Sequence, residues 1–102
     1  MILHNCKLYE LPKEIGFAKE LKSLDCSFNF LTTLPDSIEN CKNLEEINLR
    51  MNEFAAFPKQ LLNMNRLKKI DLRHQRPEVS KFTAIELSET IRKALPGCEI
   101  LV

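Results

Sequence analysis

Residues 44–66 read LEEINLRMNEFAAFPKQLLNMNR, and the 23 residues before them, 21–43, read LKSLDCSFNFLTTLPDSIENCKN. Aligned on Leu21 and Leu44, both carry an apolar residue at places one, four, six, eleven, fourteen and eighteen, asparagine at nine and proline at fifteen. Phrases of the form Leu-x-x-Leu-Pro close at Pro12, Pro35 and, with phenylalanines for leucines, Pro58, keeping the same 23-residue interval. A fixed period in the twenties marks a solenoid, in which a repeat buries its apolar side only against its neighbours.

Within a repeat, the apolar fourth and sixth residues (Leu24 and Cys26, Ile47 and Leu49, Ile70 and Leu72) flank a polar fifth. That alternation is the period of a short strand with one buried face. Asn29, Asn52 and Gln75 at the ninth place are expected to turn the chain away, their amides bonding backbone groups of adjacent coils. The Leu-Pro step then opens a convex segment, since proline fixes φ and donates no hydrogen bond. The third copy breaks at Pro77, where an eleventh-place apolar residue is due. Read backwards, Met1 falls at place four, Leu3 at six, Cys6 at nine, Leu8 at eleven, Leu11 at fourteen and Ile15 at eighteen. Cys6 is therefore expected to fill the asparagine slot as a small buried group.

These offsets resemble the leucine-rich repeat pattern L-x-x-L-x-L-x-x-N-x-L-x-x-L-P-x-x-I, in the 23-residue form common in bacterial and in Ras-associated eukaryotic proteins. The resemblance implies an α/β solenoid, a right-handed superhelix with about five short parallel strands on its concave side. It further implies a non-catalytic module that binds a protein or peptide on that sheet. The 102 residues then form one domain, with a partial first repeat over 1–20, full repeats over 21–43 and 44–66, and a divergent last repeat and cap over 67–102.

Past the break, Thr83-Ala84-Ile85-Glu86 reads as a capping box, with Phe82 and Leu87 as its hydrophobic staple. It opens a helix over 84–95 that carries Ala84, Leu87, Ile91 and Leu95 on one face. Pro96-Gly97 ends the helix. Leu95, Cys98 and Ile100 then repeat the one, four, six spacing, so a strand over 98–101 with Ile100 aligned to Leu72 completes a helix-plus-strand cap. At the other end, Met1, Ile2, Leu3 and Leu8 belong, with Leu11 and Ile15, to an exposed coil with nothing packed beyond it, a sheet edge and an apolar patch together. A two-fold pairing of copies through that edge, or a preceding segment of a larger repeat protein, would cover it.

Hydrophobic content of 44% and charge of 28% fit a folded chain rather than a disordered one. A net charge of +1, without a basic stripe and interleaved aromatics, gives no pull toward nucleic acid. No apolar run approaches the ~20 residues of a membrane helix, so no membrane insertion is expected. Met1-Ile2-Leu3 runs into His4, Asn5 and Lys7 without the apolar core of a signal peptide. With Cys6, Cys26, Cys41 and Cys98 read as buried free thiols, this favours a cytoplasmic protein, and a secreted or surface location would require processing. There is no C-x-x-C pair, P-loop, nucleophile elbow, dinucleotide fingerprint or H-E-x-x-H. His4 and His74 fall three strands apart, at least ~14 Å, too far to share a metal within one chain. The expectation is no enzyme, no cofactor and no metal.

Side chains at places five, seven and eight should leave the concave sheet. Place five gives Ile2, Asp25, Asn48, Asp71 and Glu99; place seven gives His4, Ser27, Arg50, Arg73 and Leu101; place eight gives Asn5, Phe28, Met51, His74 and Val102. The candidate protein-binding residues are Asp25, Ser27, Phe28, Asn48, Arg50, Met51, Asp71, Arg73 and His74, an acidic ladder beside a basic one with an apolar rim. The same charges can instead pair across strands and only stabilise the sheet, with Phe28 folded over the loop beside Phe30. The sheet projects to only about 270 Å², against roughly 800 Å² per partner in a stable interface, which favours weak binding or a peptide-like ligand.

Overall fold

The computed structural model describes residues 1–76 and 89–102. Three-residue strands recur at the sequence interval: β1 Ser23–Asp25, β2 Glu46–Asn48 and β3 Lys69–Asp71, followed by β4 Glu99–Leu101. They form one parallel sheet in chain order. Leu24 pairs with Ile47 and Ile47 with Ile70, so each coil returns the fourth-place residue to the same height. The first coil contributes a single parallel bridge, Ile2 to Asp25. Two backbone bonds hold it, Asp25 N–H to the Met1 carbonyl (3.0 Å) and Leu3 N–H to the Asp25 carbonyl (2.7 Å).

Opposite the sheet, each Leu-Pro step leads into a 3-10 turn, at Lys13–Phe17, Asp36–Asn40 and Lys59–Asn63. The preceding prolines sit at φ −68°, −68° and −65°, the value their rings impose. Five residues between proline and return suit the tight 3-10 coil, which is stable only in short pieces. Ile15, Ile38 and Leu61 of these turns are buried and meet the strand residues from behind. Gly16 is buried where the first two turns converge: a Cβ there would lie 2.8 Å from the Ser37 carbonyl oxygen.

The ninth-place amides tie coil to coil as expected. Asn52 is fully buried, and its Nδ2 donates to the carbonyls of Leu49 and Arg50 in its own coil and of Cys26 in the one before, while Oδ1 accepts from Leu31 N–H. Asn29 serves Cys26, Ser27 and Leu3 in the same way and accepts from the N–H groups of Cys6 and Leu8. Gln75 reaches Leu72 and Leu49 and accepts from Phe54 N–H, so the extra methylene does not break the series.

Just before each amide the backbone enters the left-handed region. Asn5, Phe28, Met51 and His74, all at place eight, have φ between 54° and 61°. A non-glycine residue there costs of order 1–2 kcal/mol, and the adjacent buried bonds hold it.

Three expectations are corrected. Cys6 is exposed rather than buried: only its backbone N–H is engaged by the following coil, through Asn29 Oδ1. Leu11 and Ile15 of the same coil are buried against the next one, while Met1, Ile2, Tyr9 and Phe17 stay exposed. The third concerns β4, where Ile100 aligns with Ile70, not with Leu72. Leu72 N–H donates to the Leu101 carbonyl. The return through helix α1 (Glu89–Ala94) is two residues longer than the spacing suggested, and a slip of two keeps Ile100 on the core side because strand faces alternate. Glu99 thereby moves to place three and Leu101 to place five. Pro77, the capping box and helix residues 84–88 lie outside the described residues.

Burial sets the thiol chemistry. Desolvation, with smaller contributions from the Asp25 charge and Cys6, pushes the Cys26 thiol up to about 12. Burial also raises Cys41, and burial with the Glu99 charge takes Cys98 up to about 11. All three stay protonated near neutrality and are poor nucleophiles.

Two outcomes follow. Asn52→Ala should destabilise the chain by about 3 kcal/mol in urea denaturation, because several buried backbone groups lose their partner at once, whereas exposed Thr32→Ala should change stability by under about 0.5 kcal/mol. A thiol reagent such as 5,5′-dithiobis(2-nitrobenzoate) at pH 8 should modify Cys6 quickly in the native protein and all four cysteines only after unfolding.

Candidate functional site

The strand alternation that buries places four and six turns places three and five to the concave side. Ser23, Glu46, Lys69 and Glu99 stand in register at place three, and Asp25, Asn48, Asp71 and Leu101 at place five. The place-three column was missed in the sequence reading, although the same period-two rule marks it. With Leu24 and Ile47 as its floor, the face holds a shallow depression of about 190 Å³ lined by Ser23, Asp25, Glu46, Asn48, Lys69 and Asp71.

Asp71 is not a free rung of an acidic ladder. It is 5% exposed and lies beneath two arginines. Its Oδ1 accepts from Arg73 N–H (3.1 Å) and Nε (3.0 Å), and its Oδ2 from Arg73 Nη2 (2.8 Å). Burial alone would raise this carboxyl, but the Arg73 hydrogen bonds and the charges of Arg73 and Arg50 outweigh it and hold the group below the usual aspartate value. Arg73 is raised in turn, chiefly by its hydrogen bonds to Asp71. Arg50 stands next in line with Nε 3.9 Å from Asp71 Oδ2, an ion pair without a hydrogen bond.

Asp25, Ser27 and His4 form a second linked set. Ser27 is buried, and its N–H (3.0 Å) and Oγ–H (2.6 Å) both go to Asp25 Oδ1. His4 Nδ1 lies 2.7 Å from Ser27 Oγ. Because the serine proton is already given to the carboxylate, the histidine nitrogen must be the donor in that contact. The sequence Asp–Ser–His is thus the reverse of a nucleophile activated by a histidine base, and it serves to bind the first coil to the second. His4 also meets Phe28 edge-on, with ring centroids 4.9 Å apart. Phe28 therefore stays at the concave rim and does not fold down beside Phe30.

Phe30 has other partners. Tyr9 stacks on it at 5.0 Å, and the Arg76 guanidinium lies 5.3 Å from the ring centroid. Arg76 Nη2 also donates to the carbonyls of Asn29 and Met51 (2.8 Å to the latter), so one side chain clips three coils along the loop edge. Nothing in the repeat pattern announces this role, because Arg76 follows the last position the pattern defines.

Of the candidate residues, Asp25, Asn48 and Asp71 share the depression, while Phe28, Met51 and His74 follow one another along the rim with their backbones in the same left-handed turn. Ser27 and Asp71 are structural, held beneath their neighbours. Met1, Ile2, Leu3 and Leu8 stay together at the first coil, Ile2 the most open of them at 79% exposure and Leu3 and Leu8 packed partly onto the core. Among the described residues no group of three His, Cys, Asp or Glu is placed to hold a metal ion, and no helix is long and apolar enough to cross a membrane.

Comparison with known proteins agrees with this geometry. The family model for leucine-rich repeats, two copies, matches residues 19–87. A solved leucine-rich repeat protein of Leptospira interrogans superposes with a TM-score of 0.72 at 34% identity over 94% of this chain. The chain spans 23% of that protein's length. No curated protein matches it. By repeat, register and likeness, this chain belongs to the leucine-rich repeat family.

Proposed function

We propose that the chain is a non-catalytic interaction module that holds a protein segment against its concave sheet. The observation that carries this reading is the repeated left-handed turn at place eight, which sets Phe28, Met51 and His74 in a row beside the polar columns. A row of an aromatic, a methionine and an imidazole beside arginines has the composition enriched in binding surfaces. Membership of a family that generally binds proteins supports the same reading. The short strands limit the face to about 270 Å², so the ligand is a segment rather than a whole flat surface.

The Asp71 arrangement decides how to test it. Reversing Arg50 and Arg73 to glutamate would strand a buried carboxylate among like charges, and loss of binding would then report loss of fold. Phe28→Ala with Met51→Ala alters the rim without touching that pair. Affinity capture on the immobilised chain, read by mass spectrometry, should lose its specific proteins in this double variant while circular dichroism is unchanged; undiminished capture would remove the concave rim from consideration.

A second reading rests on the first coil. In the parallel bridge, Asp25 bonds Met1 and Leu3, so the backbone N–H and C=O of Ile2 face away from the sheet, beside an exposed apolar side chain. Pairing of two copies there, or stacking of a further repeat in a larger protein, would satisfy both. Ile2→Asp is the suitable probe because Leu3 helps cover the core. If light scattering finds an oligomer in the wild-type chain, this variant should dissociate it, and an oligomer that survives would discard end pairing.

The Asp71–Arg73 pair also fixes a pH dependence. A carboxyl held below its unfolded value of about 3.9 contributes stability that is complete above that pH and is lost as the pH falls through the depressed folded value. Urea midpoints between pH 7 and 3 should decline for the wild type, and Arg73→Gln should flatten the steepest, most acidic part of that decline.

A further inference from the structure

Two cations of the concave face, Arg50 and Lys69, donate no side-chain hydrogen bond among the described residues, and of the two only Arg50 is a planar fork. Asp71 is engaged by Arg73 through three donors, and Arg50 is left 3.9 Å away as the surplus charge of the cluster. Arg50 Nε is shut off from solvent and donates no hydrogen bond. The side chain is nevertheless 36% exposed, and among the described residues its guanidinium donates to no acceptor. Nε is turned into the sheet, and the two Nη groups, which are not shut off in that way, form the open end of the fork. Two parallel N–H donors on a planar cation match a carboxylate better than any other group a protein presents.

The surroundings say what accompanies that carboxylate. Met51 follows Arg50 on the rim, and Phe28 stands at the same place one coil earlier, 40% exposed. Glu46 and Glu99 flank Lys69 in the register, and Asp25 Oδ1 already takes two bonds from Ser27. Over the whole face the carboxylates Asp25, Glu46, Asp71 and Glu99 outnumber the cations Arg50, Lys69 and Arg73, so the demand for an anion is local, at the surplus guanidinium of the Asp71 cluster.

Building on the concave-face reading, we infer that Arg50 is its specificity-determining contact and that the partner is an extended acidic segment. An Asp or Glu carboxylate of that segment sits on the Arg50 Nη pair, and a neighbouring apolar side chain lies over Met51 and Phe28. A charged fork of this kind, part-buried under a peptide, separates a carboxylate from its amide by roughly tenfold or more in affinity.

The test uses a displayed library of random peptides selected on the intact chain, followed by synthetic copies of the winners with each Glu changed to Gln or Asp to Asn. The expected consensus is an acidic residue next to Leu, Ile, Met or Phe. The acid-to-amide change should weaken binding to the wild type about tenfold or more, and less than about twofold to Arg50→Gln, the signature of direct coupling in a double-mutant cycle. Arg50→Lys, which keeps the charge and loses the fork, should fall between, and it replaces the glutamine variant if that one does not fold. A consensus without acidic residues, or an acid-to-amide penalty that persists undiminished in Arg50→Gln, would overturn the inference while leaving the concave-face reading standing. A basic consensus would do the same and move the contact to Asp25 and Glu46. Failure of the wild type to retain any peptide above a heat-unfolded control would overturn both.

Discussion

The fold depends on one buried side-chain amide per coil. Three-residue strands and five-residue 3-10 turns leave many backbone groups unpaired, and an unpaired buried carbonyl costs about 1–3 kcal/mol. Asn29, Asn52 and Gln75 each answer that demand twice over, once within their own coil and once in the coil before. The consequence is that no coil is complete alone. Its amide is fully bonded only when a neighbour presents the right carbonyl, which is why the sheet register and the 23-residue interval are kept together.

The same constraint generates the surface. To bring the ninth residue inward within a few bonds of a strand, the eighth must turn left-handed, and an L-residue there holds its side chain outward at the rim. Phe28, Met51 and His74 are therefore placed first by backbone geometry, with the His4 ring against Phe28 as an added contact. Residues outside the core are free to vary in chemistry, so the row at place eight can change without cost to the core. Places five and seven are less free: Ser27 and Asp71 are committed to holding the sheet, and Arg73 is committed with them.

The parts legible in the sequence were those set by strict periodicity. Leu24, Ile47 and Ile70 could be placed because each coil repeats the same spacing, and the amide role of Asn52 because its neighbours at four and six define a strand before it. Cys6 misled because periodicity describes a coil with neighbours on both sides, and the first coil has one. Ile100 was misplaced by two because α1 changes the length of the return, and a shift of two leaves the inward pattern intact; no hydrophobicity signal distinguishes the two registers. Arg76, which joins Asn29, Met51 and Phe30 across three coils, lies beyond the last repeated position, where periodic reasoning has nothing to compare.

Charge was the least legible property, for a physical reason. The sequence shows Asp25, Asp71, Arg50 and Arg73 as two ladders of opposite sign, and composition alone makes them equivalent. Three-dimensional bonding makes them unequal, since one carboxylate can accept from one forked arginine at short range, and the second arginine then remains at ion-pair distance. That asymmetry leaves Arg50 as the one of the two arginines whose guanidinium makes no hydrogen bond among the described residues. On the proposed binding face, with about 270 Å² to offer, area contributes little, and selectivity would come from the few groups whose bonding is left unfinished within the chain.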